Sequence, residues 1–356
     1  MQDWLTRYST DSPGSQQLRN ALAQALDQAN VSLSRLAVAV SGGPDSAVLA
    51  IELAILARQT DHIGLHTGPH IFHVHHGLQA TADHWCQHVH DLAGRLQLAC
   101  HSMHVQVQHT GGTGVEAAAR QARYQAYQQL ASQCGVSHIM LGHHQDDQAE
   151  TVLLRLLRGS GPTGLAAMSS ASERDGLCYV RPWLHIARET IWTQAQNFLM
   201  ASGWDTVYDP TNHDDSYTRS ALRERLTPGL NARWPGWQRQ LARHAQLASQ
   251  TAQILDEVAQ TDLAALDPSG DEASIGLKLW RTLSPARQAH VLRYWLARNG
   301  LRAPTQAKLD DIMRQLRTLH ALGHDRHMRV RHDGAWVCCH RGRVWVERPD
   351  QPAQTR

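Results

Sequence analysis

The sequence predicts an α/β protein: a parallel, doubly wound, Rossmann-like sheet, followed by a mostly helical C-terminal domain that ends in a small β meander. Three observations carry this reading. Across the first half, short β-rich runs alternate with longer helical patterns, the order from which parallel sheets are built. The first of these runs ends in a glycine-rich turn, Ser41-Gly42-Gly43, that leads straight into a helical pattern. After Pro182 amphipathic helices take over, until three short runs punctuated by Asp333-Gly334 and Arg341-Gly342 close the chain.

The strands are expected at 35–41 (RLAVAVS), 69–75 (PHIFHVH), 99–107 (ACHSMHVQV), 137–143 (SHIMLGH) and 177–182 (LCYVRP). Helical patterns near 45–58, 81–97, 115–133 and 147–158 lie between them. Right-handed crossovers then leave few topologies, and ligands are expected at the carboxyl ends of the strands. Further on, 187–203 reads as an amphipathic helix closed by Gly203, and 205–230 mixes turn residues with a basic helix. A long helix is expected from Trp234 to Leu266, then a loop at 266–274. Two helices at 284–300 and 303–319 follow, each opened by Ser or Thr near a proline. The domains expected are 1–230, catalytic; 231–274, a linking helix and loop; and 275–356, basic and substrate-binding.

Composition narrows the class. At 356 residues the chain is long enough for two domains or three. The N-terminus lacks the basic flank and apolar stretch of a signal peptide, and no apolar run approaches the roughly 20 residues that span a bilayer. A cytoplasmic protein is expected, with no membrane partner. Six cysteines without a C-x-x-C pair show no zinc-ribbon, redox or iron–sulfur motif, so reduced thiols are expected. The overall charge of +2 hides an asymmetry: residues 281–348 hold 13 Arg and one Lys against five acids, a local net of +9. A basic C-terminal part points to a polyanionic partner, against the plainer reading of an ordinary solvated surface.

The glycine-rich turn carries the most specific chemistry. Glycines let successive backbone N–H groups converge on an anion, and the following helix adds its positive end. Kinase and NTPase loops add a lysine after the glycines. Here Ser41-Gly42-Gly43-Pro44-Asp45-Ser46 offers Pro44, which presets the first helical turn, and an acid in place of the lysine. An acid beside phosphates makes sense as an Mg²⁺ ligand, because hard cations take carboxylate and phosphate oxygens together. That suits a departing pyrophosphate better than a transferred γ-phosphoryl group.

The hexapeptide SGGPDS, flanked by AVAV and AVLA, resembles the pyrophosphate loop of the N-type ATP pyrophosphatases. In order along the chain come HVHHGLQATADHWCQ (73–87), GVEAAARQARYQAY (114–127), LGHHQDDQAETVLLRLLRGSGPTGLAAM (141–168), RPWL (181–184) and YDPTNHDDSYTRSALRERLTPGL (208–230). Together these resemble the tRNA(Ile)-lysidine synthetase family over residues 35–230, and more weakly over 275–348, where that family has its first C-terminal, substrate-binding domain. The resemblance implies a carbon–nitrogen ligase that uses ATP and Mg²⁺ to join free L-lysine to C2 of the wobble cytidine of a tRNA(Ile) with a CAU anticodon. The reaction it implies runs through an adenylated cytidine, with pyrophosphate and then AMP released, and converts an AUG reader into an AUA reader.

Carried over onto this chain, the family pattern assigns Ser41, Gly42, Gly43, Pro44, Asp45 and Ser46 to ATP, with Asp45 as metal anchor and catalytic group. His143 falls near the adenylated base. Asp147 and Glu150, three apart and on one helix face, suit an ammonium ion, and the family assigns these positions to the incoming lysine. Asp147 then stands beside the attacking amine as base or orienter. Asp146 reads equally as a plain helix cap, and His143-His144-x-Asp146-Asp147 also as a zinc site, although adjacent strand histidines face opposite ways. His73 reads as a core histidine, and His76 and Gly77 as cleft residues. Arg120 and Arg123 read as tRNA or ATP contacts or as a solvated helix face, and Arg219 and Arg223 as tRNA contacts. Gln79 stands where the family has Arg, and Ser220 where it has Asn. A tRNA thiolase and a non-catalytic RNA-binding protein are the alternatives, the first short of suitably placed cysteines and the second at odds with intact Asp45, Asp147 and Glu150. Oligomeric state stays open, a homodimer included.

Overall fold

The first strand, β1 (Leu36–Ala39), is buried along its whole length, as a small and β-branched run must be at the centre of a parallel sheet. In the computed structural model, residues 4, 7–8, 12–59, 68–77, 81–106, 115–207, 218–270, 272–319 and 327–348 are described. They form two compact units, Met1–Ser249 and Gln250–Arg356, whose boundary falls within one helix.

In the first unit β1 pairs in parallel with β2 (His70–His75) on one side and with β4 (His138–Met140) on the other. The sheet continues outward to β3 (Ala99–His104) and to β6 (Leu177–Val180), and β5 (Ala171–Arg174) closes the second edge antiparallel. The order β3-β2-β1-β4-β6-β5 reverses direction between β1 and β4. A doubly wound sheet opens a crevice at that reversal, beyond the carboxyl ends of the strands. Helices α1 (Pro13–Ala29), α2 (Pro44–Gln59), α3 (Ala82–Leu96), α4 (Val115–Cys134), α5 (Gln145–Leu157), the short α6 (Pro162–Leu165) and α7 (Arg188–Ser202) cover the sheet or connect its strands. The five expected strands and the helices between them are all present. The edge strand β5 has no counterpart in the sequence reading: its Ala-Ser-Glu-Arg run is largely exposed and carries no apolar alternation.

Helix α2 is buried nearly all round, from Ala47 to Ala57, and so lacks the polar face of a surface helix. Its one buried charge, Glu52, is fully enclosed. The carboxylate accepts hydrogen bonds from Tyr8 Oη at 2.6 Å and from Ser15 Oγ at 2.8 and 2.9 Å. Arg19 Nη1 donates to it from 3.0 Å. A buried carboxylate needs such partners, and here they all come from the N-terminal segment, which is thereby fixed to α2.

After α7 come α8 (Thr218–Ala221), a π-helical turn over Leu222–Leu226, and α9 (Thr227–Arg233), then the long α10 (Trp237–Ala265), within which the unit boundary lies. The second unit packs α11 (Leu277–Thr282), α12 (Pro285–Arg298) and α13 (Gln306–Thr318) around Trp280, Trp295 and Leu309. Ser284 and Thr305 cap α12 and α13 through hydrogen bonds from Arg287 N and Lys308 N, as their positions beside the prolines predict. The closing meander, β8 (Met328–His332), β9 (Ala335–His340) and β10 (Arg343–Glu347), gains a fourth antiparallel strand, β7 (Ser274–Gly276), in the order β7-β10-β9-β8. That three-residue strand falls at the end of the expected loop and is too short to show a period. Among the described residues no helix is long and apolar enough to cross a membrane.

Candidate active site at the sheet reversal

The turn Ser41-Gly42-Gly43 leaves β1, and Pro44 opens α2. Ser46 Oγ donates to Gly43 O at 3.1 Å and accepts from Ser41 N at 3.1 Å, so the loop is closed on itself before any ligand arrives. Gly42 takes φ +96°, which other residues rarely adopt, and a Cβ there would meet Val207 Cγ2 at 2.9 Å. Val207 N also donates to Gly42 O at 2.9 Å. The loop amides and the start of α2 make an anion-binding nest.

Across the reversal, the segment after β4 delivers Gly142, His143 and His144. Gly142 was not singled out from the sequence, yet the start of α2 packs directly on it. A Cβ at Gly142 would lie 2.8 Å from Asp45 O and 3.1 Å from Ser46 N. Both neighbours are backbone, so an added methyl must displace the loop. Gly142→Ala is expected to lower ATP turnover by about 10²-fold, because shifts near 1 Å in a reacting frame carry that penalty. A circular dichroism spectrum like that of the parent chain, beside steady-state AMP release, separates this from unfolding.

His144, named in the sequence reading only as part of a zinc cluster, is the buried hub. It precedes α5 as N-cap, and its backbone N–H donates to Asp147 Oδ2 at 3.2 Å. Its Nε2 lies 3.4 Å from Asp147 Oδ2 and 3.6 Å from Asp45 Oδ1, the second an ion-pair separation beyond hydrogen-bond reach. Burial pushes this imidazole down, but the surrounding carboxylates of Asp45, Asp147 and Asp146 outweigh it and hold the ring above its ordinary pKa. Asp45 Oδ1 is itself buried and without a hydrogen bond. An orphaned carboxylate oxygen beside an anion nest fits a hard divalent cation.

His143 takes the opposite electrostatic course. Burial, with help from Arg181, Arg219 and Arg120 and against Asp147, pushes it down to about 4. It is a neutral ring at physiological pH, and its Nδ1 has no hydrogen-bond partner. Asp146 instead accepts from Arg188 N at 3.3 Å, so it serves the first amide of α7, while the N-cap of its own helix is His144.

Asp147 and Glu150 share one face of α5, as their spacing predicts, and both are buried. Burial raises Asp147, while His144, His143, Arg219 and Arg223 together lower it further, leaving it below the ordinary carboxylate range. Arg223, from the π-helical turn, donates Nε to Glu150 Oε1 at 2.6 Å and Nη2 to Glu150 Oε2 at 3.0 Å. The same Nη2 reaches Asp147 Oδ1 at 3.3 Å. Arg219 bonds Thr151 Oγ1 at 3.2 Å and stands 4.0 Å from Asp147. These two arginines therefore face the carboxylate pair. Arg123 donates to His76 Nε2 at 3.3 Å, joining α4 to the end of β2, whereas Arg120 bonds Tyr124 Oη at 3.1 Å. His73 is buried and bonded to Val40 O at 2.8 Å, a core role. Arg155 donates to Gly164 O at 2.6 Å and braces the Gly-rich turn after α5. Gln79 and residues 208–217 of the 208–230 motif lie outside the described residues; Ser220 is buried.

A parallel sheet with a lysine-free phosphate loop at its reversal, facing a His-His-x-Asp-Asp helix start, defines a PP-loop nucleotide-using protein. The PP-loop domain family matches residues 15–230, and the TilS substrate binding domain family matches residues 277–345. Among curated relatives, the tRNA(Ile)-lysidine synthase of Bordetella parapertussis is 51% identical over 330 residues, 93% of this chain and 94% of its own. That of Ralstonia nicotianae is 42% identical over 89% of this chain and 65% of its own. The chain belongs to the tRNA(Ile)-lysidine synthase family. A solved U34-tRNA thiolase of Methanococcus maripaludis shares the fold at 14% identity, with a TM-score of 0.54 over 67% of this chain and 81% of that one.

Proposed function

We propose that this protein joins L-lysine to C2 of the wobble cytidine of tRNA(Ile) bearing a CAU anticodon, with ATP converted to AMP and pyrophosphate. The observation that carries the reading is the meeting, at one sheet reversal, of an anion nest with a half-buried acid and a neighbouring pair of buried carboxylates. The first suits ATP cleavage between the α- and β-phosphates; the second suits a cationic amine. Sulfur transfer gains no support here, since neither the loop, α5 nor residues 218–233 contain a cysteine.

The Gly42 amide and the N-terminal end of α2 would receive the departing pyrophosphate, while the Ser41 and Gly43 amides, bonded within the loop, hold its shape. Asp45 would hold Mg²⁺, which when bound neutralises phosphate charge. His143, neutral at physiological pH, offers one ring nitrogen as donor or acceptor to a cytosine edge without adding charge. A cytosine in an anticodon loop is already unpaired, so little energy goes into exposing it. In the second step the lysine ε-amine attacks C2, forming the new C–N bond as the bond from C2 to the adenylated oxygen breaks and AMP leaves. The amine must first lose a proton, which solvent water takes up. Asp147, held below the ordinary carboxylate range, is a poor proton acceptor, and it orients the lysine rather than deprotonating it.

Asp147 and Glu150 are engaged by Arg223, whose guanidinium mimics the charge of the expected ligand. The lysine α-amine displaces or shares this contact on entry. Arg219, Arg223, Arg120 and Arg123, with the arginines of 281–348, would contribute phosphate contacts to the tRNA, giving salt-sensitive binding.

Incorporation of radiolabelled lysine into a CAU-anticodon tRNA(Ile) transcript, with and without ATP, tests the assignment. ATP-dependent label confined to the wobble base is the expected result; AMP release without label would move the reading to another nucleophile. Glu150→Gln separates the two steps. Loss of one charge-assisted contact, worth about 1.5–3 kcal/mol, is expected to raise the KM for lysine while RNA-dependent pyrophosphate release stays near the parent rate.

A further inference from the structure

We propose that His75, Asp83 and His104 form a binding site for a borderline divalent transition metal, zinc in the first instance, separate from the Mg²⁺ position at Asp45. Strands β2 and β3 run in parallel with His75 and His104 in register at their carboxyl ends. Their side chains therefore leave the sheet on the same face, and the rings lie 4.1 Å apart, centroid to centroid. Asp83, in the first turn of α3, brings Oδ1 to 3.0 Å from His75 Nε2. One ligand atom from each of the three residues lies within 4.8 Å of the others.

The decisive observation is an orphan. The His75 side chain is 9% exposed, and its Nε2 makes no hydrogen bond despite the carboxylate 3.0 Å away. A buried ring nitrogen without a partner is costly, and a short N···O approach outside hydrogen-bond geometry leaves that cost standing. Ligands bound to one ion at 2.0–2.2 Å stand roughly 3 Å apart, so an ion between the two groups would satisfy both.

The donor set decides the class of ion. Two imidazoles and one carboxylate suit zinc, cobalt or nickel, whereas Mg²⁺ and Ca²⁺ take oxygen ligands. Asp83 and His104 are exposed, so water can complete the coordination. The chain offers one other trio, His70, His101 and Cys134, among the described residues. There His70 Nδ1 and His101 Nε2 are 3.1 Å apart in a hydrogen bond with each other, which accounts for the pair without a metal. An ion at the first trio would pin the start of α3 to the ends of β2 and β3. It would sit immediately before His76, which Arg123 links to α4.

The test uses the full chain, stripped with chelator, dialysed and titrated with Co²⁺ by absorption and with Zn²⁺ by calorimetry. One equivalent is expected, with weak visible bands of a nitrogen–oxygen site. His104→Ala and Asp83→Asn change exposed side chains, and folding is checked by circular dichroism. Each is expected to weaken binding by at least the roughly 10–100-fold that even outer-shell partners of a metal contribute. His101→Ala is expected to leave binding unchanged. The proposal is overturned by absence of binding or by equal affinity in His104→Ala. An intense thiolate-to-cobalt band abolished by Cys134→Ala overturns it too, since the ion then belongs to the other trio.

Discussion

Asp45→Asn is expected to reduce RNA-dependent AMP formation at least 10²–10³-fold, about the effect of deleting one preorganised charge-stabilising group in a reacting site. The substitution keeps the shape and removes the charge. Asp45 Oδ1 is buried and has no hydrogen bond, so the amide has no protein partner to lose at that atom. Its charge does have company: His144 Nε2 stands 3.6 Å away, also close to Asp147. Two consequences should therefore separate. The nucleotide step is expected to fail because the proposed metal anchor is gone, while the neighbouring carboxylate pair, 3.3 Å or less from Arg223, keeps its geometry. Lysine protection of the folded chain in a thermal melt should survive in Asp45→Asn, whereas ATP protection should not. Near-parent AMP release from the variant would remove the anchor role altogether.

The largest stability effect is expected from Arg19→Met. It strands Glu52, which is fully enclosed and loses its only ionic partner among the described contacts. Breaking a buried pair from one side costs about 3–5 kcal/mol. For a unit of this size that lowers the melting midpoint by roughly 6–20 °C. The double variant Arg19→Met/Glu52→Gln should recover most of the loss, because a neutral amide keeps the Tyr8 and Ser15 contacts without the stranded charge. The pH dependence has a definite sign. Burial is the largest influence on Glu52 and holds its pKa above the ordinary value, against Tyr8, Ser15 and Arg19. For a carboxyl with a raised folded pKa, the folded state binds more protons between the two values, so this group's contribution falls as pH rises through them. A melt series from pH 4 upward in Glu52→Gln should lack that component.

Much of this architecture was legible because its signals are strong and local. The buried runs at β1, β2 and β4 are short and alternate with longer helical patterns, and SGGPDS combines a turn, a proline at the helix start and an acid in six residues. The carboxylate pair followed from helical spacing alone. What escaped was set by tertiary contact. Gly142 has an ordinary negative φ, and no pattern marks it; only the approach of Asp45 O gives it a role. The zinc cluster with His144 was weighed down by the argument that neighbouring strand histidines point oppositely, yet the strand ends at Met140, and His144 draws its role from the carboxylates around it. Arg219 and Arg223 were read as RNA contacts from charge and position, and nothing local could reveal that α8 and the π-helical turn after it bring them to Asp147 and Glu150. Strands β5 and β7 are too polar or too short to leave a period.

The burial of α2 bears on when the nucleotide site takes shape. A helix enclosed on nearly every face, with Glu52 held by the N-terminal segment two turns beyond Asp45, belongs to the last region to open in native-state hydrogen exchange. The amides of its first buried turns should outlast those of the exposed edge strand β5 by orders of magnitude in protection. The phosphate cradle at its head then acquires its conformation during folding, and ligand capture involves little further loss of chain entropy. Affinity for the polyphosphate should accordingly change little with added stabilising osmolyte, since the receptor has almost no disorder left to give up.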